Sequence, residues 1–282
     1  MAPSDRGFGS DAASAGPNKR EQRLDGIRSH LMTLGTASIE ELTALTGVSR
    51  MTIHRDLDEL EHRGVLHRTR GGASVEKTLL FEASVDYRLS LERRAKQAIA
   101  AYAATLVEPG QVLLLDDSTT SHTFLRALPP DLPVTIVSNF LPNLQVAATR
   151  ANTHVIALGG DYQPSYQAFF GLLTENALAT IHADVLVSSA SALRGRSLFH
   201  QSQLVISTRR AMVESSASRL LLVDSSKISH TALYLYGSVE DYDHLIVDDR
   251  TDSETLAMLS ELDVEVHVVE IEGSAATTTS EE

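Results

Sequence analysis

Cysteine and tryptophan are absent from the 282 residues, aromatic residues make up only 5 %, and no apolar run approaches the length of a membrane span. Without cysteine there are no disulfides and no thiolate metal ligands, which fits a reducing compartment, and the cytoplasm is the expected location. The polar N-terminus lacks the apolar core of a secretion signal, so no membrane partner is expected. The eleven histidines are dispersed, with no HExxH or other paired-ligand spacing, so neither a metal nor a cofactor is expected. A GxSxG elbow, a Walker loop and a GxGxxG fingerprint are missing too, which removes the common hydrolase and nucleotide-binding signatures.

Acid exceeds base, for a net charge of -13, yet unevenly. Residues 18–77 carry ten Lys/Arg against nine Asp/Glu, whereas residues 78–282 carry thirteen against twenty-six. The near-neutral segment also holds His30, His54, His62 and His67. An acidic body with a locally basic face suppresses loose adhesion to polyanions while leaving one surface able to meet them.

That segment reads as a complete DNA-reading module. Ser38-Ile39-Glu40-Glu41 is a capping box, a hydroxyl at N-cap with a carboxylate three residues on. Ile39, Leu42 and Leu45 follow at helical spacing, Thr46-Gly47-Val48 breaks the helix, and Ser49 caps the next. The second helix buries Ile53, Leu57 and Leu60 and presents Arg50, Thr52, His54 and Arg55 outward before any acid intervenes. Gly64 ends it. Val65-Leu66, then His67-Arg68-Thr69-Arg70 before Gly71-Gly72, suit a hairpin wing. The sum is a winged helix-turn-helix, with Arg23 to Leu34 as a preceding helix that packs through Leu24, Ile27 and Leu31. DNA contacts are expected from Ser49, Arg50, Thr52, His54 and Arg55 in the major groove, and from Arg68 and Arg70 on phosphate.

Val48-Ser49, Thr52-Ile53-His54-Arg55-Asp56-Leu57, Leu60-Glu61, Gly64 and Arg70-Gly71-Gly72-Ala73 resemble the N-terminal signature of the DeoR family of bacterial transcriptional regulators. The family usually shows two arginines before the aspartate and a histidine before the paired glycines; here those positions hold His54 and Arg70.

Beyond this module the sequence alternates strand-like and helix-like runs. Val112 to Leu115, Val134 to Val137, His154 to Leu158, Val185 to Val187, Leu220 to Val223, Leu245 to Val247 and Val264 to Val269 read as strands. Ala95 to Val107, Phe140 to Arg150, Gly171 to Ile181, Gln201 to Ser216 and Ser253 to Leu262 read as helices. The alternation predicts a mainly parallel α/β domain. The expected organisation is a disordered stretch over 1–18, the DNA-binding domain over 19–75, a linker over 76–89, the α/β domain over 90–272 and a disordered tail over 273–282.

Ligands of such sheets sit at the carboxyl ends of the strands. Four ends carry polar clusters: Asp116-Asp117-Ser118-Thr119-Thr120, Ser138-Asn139, Gly159-Gly160-Asp161 and Asp224-Ser225-Ser226-Lys227. Each alone reads as a helix cap at least as readily as a ligand site; four on one edge favour a pocket. Lys96 with Ile99-Ala100, together with these clusters in this order, resembles the sensor half of DeoR regulators, a fold similar to ribose-5-phosphate isomerase. The resemblance implies a phosphorylated sugar or sugar derivative as effector, with phosphate on Ser118, Thr119 and Thr120, and further contacts from Asp117, Asn139, Gly159, Gly160 and Lys227. The family usually has glycine where Ser118 and Ser191 stand.

The expected function is sequence-specific transcriptional regulation, most simply repression of a carbohydrate operon relieved by the effector, by a homodimer or homotetramer on double-stranded operator DNA. Two other readings stay open: a sugar-phosphate isomerase or deaminase with Asp116 or Asp117 as base and Lys227 as electrostatic partner, and a regulator whose small-molecule pocket is altered or lost.

Overall fold

The computed structural model describes residues 19–62, 66–74 and 85–271. They fall into two compact units, one carrying residues 19–74 and one carrying residues 85–271.

In the first unit α1 (Lys19–Leu34) leads through β1 (Thr36–Ser38) into α2 (Ile39–Thr46). The capping box forms as its residue types require: Glu41 N–H donates to Ser38 Oγ at 3.2 Å, and Ser38 N–H donates to the Glu41 carboxylate at 2.7 Å. Gly47 closes α2 at φ 69°, a conformation without steric cost only for glycine. Ser49 then caps α3 (Arg50–His62), accepting from Thr52 N–H at 3.2 Å. β2 (His67–Thr69) and β3 (Gly72–Ser74) make the wing, and β1 joins them in an antiparallel sheet of order β1-β3-β2. Gly72 is required there, since a Cβ would lie 2.1 Å from the Ala37 carbonyl oxygen.

The core of this unit is Leu24, Ile27, Leu31, Ile39, Leu42, Ile53, Leu57, Leu60 and Leu66, all buried. Leu45, expected on the inner face of α2, is 49 % exposed in the last turn of the helix, two residues before the Gly47 stop. Gly64, expected to end α3, lies outside the described residues, as do the spans 1–18 and 273–282. Asp56 is the polar member of the core. Its carboxylate receives Arg23 Nε at 2.6 Å and Arg23 Nη2 at 3.2 Å, which fastens α1 to α3.

The second unit begins with α4 (Val85–Ser90) and α5 (Arg93–Ala104). The linker expected over 76–89 therefore ends sooner: residues from Val85 are helical, because Val85 finds an apolar seat against Phe140, Phe170 and Val205. Residues 76–84 lie outside the description. There follow β4 (Val112–Leu115), α6 (Thr119–Ala127), β5 (Val134–Ser138), α7 (Leu141–Ala147) and β6 (Thr153–Ala157). A small hairpin, β7 (Asp161–Gln163) and β8 (Ala168–Phe170), leads to α8 (Leu172–Leu178) and β9 (Ala183–Ser188). β10 (Ala192–Arg194), β11 (Ser197–His200), α9 (Gln203–Glu214) and β12 (Ser216–Val223) come next. The chain finishes with β13 (Tyr234–Ser238), β14 (His244–Asp248), α10 (Ser253–Ser260) and β15 (Glu265–Val269).

Among the described residues seven strands form one parallel sheet in the order β15-β14-β12-β9-β4-β5-β6. Alternate residues of its strands feed two cores, as period-two geometry demands. Leu113, Leu115, Ile136, Val185, Val187 and Ile246 pack under α5 and α6, while Leu114, Val137, Leu186, Leu221 and Val247 pack with Leu178, Met212 and Leu259 on the other face. The chain runs outward from β4 to β6 in one direction and from β9 to β15 in the other, so the order reverses between β4 and β9.

Replacing Asp56 by alanine leaves the Arg23 guanidinium without its charged acceptor. A loss of about 1.5–3 kcal/mol is expected, measurable as a lowered urea midpoint for the first unit with α/β signals unchanged.

Candidate functional site

Two surfaces carry chemistry. On the first unit, Arg55 and Arg50 are exposed on α3, with Met51 between them in sequence and 65 % exposed. Arg50 is held by Glu40 at 2.6 Å, a solvent-exposed pair that costs little to break. Thr52 Oγ1 is 2.9 Å from Ser49 Oγ, so the cap also fixes this side chain. Arg70 stands exposed in the wing turn.

Arg68 and His54 contact each other. The Arg68 guanidinium pairs with Asp58 and lies 2.6 Å from His54 Nδ1, and its backbone N–H donates to Glu61 at 2.8 Å. These contacts pin the wing to α3, and they occupy the cation expected on phosphate. Because a guanidinium only donates, His54 Nδ1 is the acceptor, which leaves Nε2 as the ring's donor.

In the second unit the polar residues gather at the β4–β9 reversal, where α/β sheets open a crevice. Asp116 ends β4 and is wholly buried. Its Oδ1 accepts from Ser118 N–H at 3.0 Å, and its Oδ2 accepts from Ser188 Oγ at 2.8 Å and Ser189 N–H at 3.0 Å. Arg209, from α9, reaches Asp116 at 3.3 Å and Asp117 at 3.2 Å and donates to the Ser189 carbonyl. Burial works against the Arg209 charge, but Asp116 and Asp117 outweigh it and hold its pKa above the ordinary value.

A polar cavity opens beside this cluster, lined by Arg88, Lys96, Ser118, Thr119, Thr120, Ser189, Ser191, Arg209 and Lys227 among others. Ser118, Thr119 and Thr120 surround the N-terminus of α6, where backbone N–H groups and the helix dipole favour an anion. Ser118 adopts φ -84°, ψ 148° and accepts from Ser121 N–H at 3.0 Å. The position usually held by glycine thus needs no left-handed backbone here, and the serine serves as the cap.

Lys96 Nζ donates to the Arg88 carbonyl at 2.5 Å and to Thr119 Oγ1 at 3.2 Å. Burial, with Lys227 and Arg88 adding repulsion against the pull of Asp224, lowers its pKa to about 8. Arg88 donates through Nη1 to the Asp117 carbonyl at 3.3 Å and lies over the Tyr166 ring at 5.9 Å. Its Nε and Nη2 are buried without a partner, as are Arg209 Nε and Asp117 Oδ2. Burial also lowers the Arg88 pKa, with Arg209 adding to the effect and Asp117 opposing it.

Of the effector residues expected from sequence, Ser118, Thr119, Thr120 and Lys227 meet at this cavity, and Asp117 borders it through Arg209. Asn139, Gly159 and Gly160 are not among its lining residues. Asn139 Nδ2 donates to the Phe169 carbonyl at 2.8 Å, tying β5 to the small hairpin, while its Oδ1 stays buried without a partner. At Gly160 a Cβ would lie 2.2 Å from Thr174 Oγ1 and 2.5 Å from the Phe170 carbonyl, so this glycine serves close packing. His200 lies in β11, is buried and accepts at Nδ1 from Ser202 N–H at 3.0 Å. Burial and the nearby Arg209 and Arg88 drive its pKa down to about 2.

Sequence patterns pass over Arg88 and Arg209. Arg88 falls in a stretch without apolar period, and Arg209 is one of two adjacent arginines in a helix, with nothing to mark which points inward.

A winged helix-turn-helix joined in one chain to a parallel α/β unit with a small polar cavity at its strand ends defines a DNA-binding transcriptional regulator with a second, α/β domain. The family model "DeoR-like helix-turn-helix domain" matches residues 23–78, and "DeoR C terminal sensor domain" matches residues 91–249. The chain belongs to the DeoR family. It is similar to the L-fucose operon activator of Haemophilus influenzae, 37 % identical over 200 residues, covering 71 % of this chain and 80 % of that protein. It is also 28 % identical to the putative aga operon transcriptional repressor of Escherichia coli O157:H7, over 89 % of this chain and 93 % of the relative. The lactose phosphotransferase system repressor of Streptococcus mutans is 29 % identical over 83 % of this chain and 94 % of its own. Among solved structures, ribose 5-phosphate isomerase A from Methanocaldococcus jannaschii aligns at a TM-score of 0.37 and 18 % identity, over 49 % of this chain and 55 % of that one. The chain is a transcriptional regulator, and in its second unit both Asp116 oxygens are engaged by the protein.

Arg209→Leu strands two buried carboxylates without their counter-ion. The second unit should lose about 3–5 kcal/mol, read by urea denaturation; a variant as stable as the parent would show that the cluster does not hold the strand ends together.

Proposed function

We propose that this regulator controls a carbohydrate operon and that a phosphorylated sugar or sugar derivative, directing its phosphate at the small Arg88–Lys96–Arg209 cavity, weakens its hold on operator DNA. The observation that carries this reading is the set of buried, unpartnered cationic nitrogens facing a helix N-terminus. Four cationic side chains, Arg88, Lys96, Arg209 and Lys227, converge there, and such groups are satisfied by a phosphate dianion better than by water. The relatives are named for the L-fucose operon, the aga operon and the lactose phosphotransferase system, which supports a carbohydrate context. One of those names is an activator, so the sign of regulation rests on the DNA experiment.

On DNA, Arg55, Arg50 and Thr52 would enter the major groove, Met51 would meet apolar base edges, and His54 would offer its Nε2 donor while Arg68 steadies it. Arg70 would take a phosphate. Because one module spans few base pairs, the working form is a symmetric dimer or tetramer on a two-fold operator.

Mobility shift at fixed salt on the promoter of its own gene cluster, with a panel of sugar phosphates, tests the proposal. Release by one phosphorylated sugar, and none by its unphosphorylated form, is the expected result. A specific complex indifferent to the whole panel removes the effector while keeping the regulator. Lys227→Ala should bind operator normally and resist release. Arg55→Ala should cost about 1–3 kcal/mol of operator affinity, whereas Arg70→Ala should lower the slope of log affinity against log salt by about one.

The effector should also show a proton signature. Free Lys96 titrates near 8, and a bound phosphate raises that value, so binding takes up protons between pH 7 and 9. Affinity should therefore fall as pH rises through 8. Calorimetry in buffers of different ionisation enthalpy checks it; zero proton uptake would remove Lys96 from the phosphate site.

A further inference from the structure

Three metal-capable side chains converge at the outer edge of the sheet, on the face beneath α5. His244 opens β14, and Glu265 and His267 belong to the edge strand β15. The parallel register sets His244 opposite Glu265 and Ile246 opposite His267, so all three project from one face. Ile246 and Val269, which share that side, belong to the core under α5 and fix which face it is.

His244 Nδ1 lies 3.1 Å from His267 Nε2 and 3.3 Å from a Glu265 oxygen, and the other Glu265 oxygen is 3.7 Å from His267 Nε2. An ion held tetrahedrally at about 2.0–2.1 Å separates its ligand atoms by about 3.3–3.4 Å. The His244–His267 and His244–Glu265 spacings lie within about 0.3 Å of that value, and one ligand atom from each of the three side chains can be taken with all three within 4.8 Å of one another. His267 is oriented from behind, with Nδ1 2.8 Å from the Tyr102 hydroxyl on α5. A hydrogen bond on the far nitrogen is the support that metal-ligating imidazoles have, because it fixes both tautomer and ring direction. Glu265 is 65 % exposed and His244 27 %, so an ion can reach the group from solvent.

We propose that His244, Glu265 and His267 bind one divalent transition-metal ion of the zinc class, with a fourth coordination position left to solvent. Two imidazoles and a carboxylate are borderline donors, suited to zinc, cobalt or nickel and unsuited to magnesium or calcium. Such an ion would clamp β14 to β15 and, through Tyr102, to α5, the helix that also carries Lys96. It is independent of the effector reading, since no residue is shared with the cavity. No spacing in the sequence betrays it, because the ligands come from two strands made neighbours only by the sheet.

The test uses the full chain without a histidine tag, stripped with EDTA and desalted. Zn2+ is titrated by calorimetry, and Co2+ binding is read by visible absorption. One equivalent per chain is expected, with the intense cobalt bands of a four-coordinate site and a higher melting temperature in Zn2+. His244→Ala and Glu265→Gln lie at the solvent-facing rim and should each weaken binding by at least about 10-fold, and Tyr102→Phe by about 10-fold. Circular dichroism and operator binding check that these variants remain folded. A parent chain that takes up no Zn2+ at sub-millimolar concentration would leave only a hydrogen-bonded brace, and so would binding unchanged in the His244→Ala, His267→Ala double variant. Either result overturns the proposal.

Discussion

Arg209 meets Asp116 and Asp117 where β4 and β9 part, and all three side chains are nearly closed to solvent. The same guanidinium reaches the Ser189 carbonyl beyond β9, and Asp116 binds Ser188, Ser189 and Ser118. One ionic cluster therefore fixes the ends of two central strands, the start of α6 and the inner face of α9. Removing a charge from water is expensive, and the cost is offset only where every lone pair and proton finds a partner. Asp116 meets that condition. Asp117 Oδ2 and Arg209 Nε do not, and Arg209 lines the cavity. The rigid half of the cluster holds the sheet, and the unsatisfied half faces the space where a ligand would sit.

The DNA-facing unit divides its polar residues in the same manner. Asp56 follows the helix's cationic run, yet it is an internal strut between α1 and α3, paired with Arg23. Arg68, expected on phosphate, also bridges the wing to the helix through Asp58 and His54. That bridge gives His54 a structural part within the unit. An arginine at this position would face Arg68 as a like charge, whereas the imidazole Nδ1 accepts a hydrogen bond from the Arg68 guanidinium. The departure from the family's paired arginines is thus internally consistent: the exchange removes one cation from the DNA face and turns another toward the protein.

How far the sequence predicts this structure depends on how local each signal is. The seven parallel strands coincide with apolar runs such as Val112 to Leu115, because a strand buried on both faces leaves no other pattern. The helix caps at Ser38 and Ser49 are legible for a similar reason, since a hydroxyl and its partner lie three residues apart. The short antiparallel strands β7, β8, β10, β11 and β13 are not, as three to five residues carry too little periodicity to separate them from loop. The cavity is half legible. Ser118, Thr119, Thr120 and Lys227 sit at strand ends, where a general rule points; Arg88 and Arg209 arrive from helices, and only the fold selects them from the other arginines. Gly160 is ambiguous in sequence, because a glycine signals close approach without saying whether a ligand or Thr174 is what comes close.

The uneven satisfaction of charge in the cavity also bears on how a regulator of this kind could switch. The cavity walls come from separate elements: Arg88 from α4, Lys96 from α5, the N-terminus of α6, Arg209 from α9, and Lys227 from the turn after β12. Without an anion their cations repel one another, which is why burial, Lys227 and Arg88 together hold Lys96 near 8. On the proposed reading an anion reverses the sign of those interactions at once and favours whichever arrangement brings the walls closest. A ligand moves an equilibrium only by its difference in affinity for the two states, and about 5.5 kcal/mol turns a 1:99 ratio into 99:1. Several charge-assisted hydrogen bonds, each worth about 1.5–3 kcal/mol, reach that scale if they form in one state and not in the other. Arg88 is well placed to supply that difference. It is the cation of the cavity that comes first in the chain after the DNA-binding unit, and two of its nitrogens await a partner.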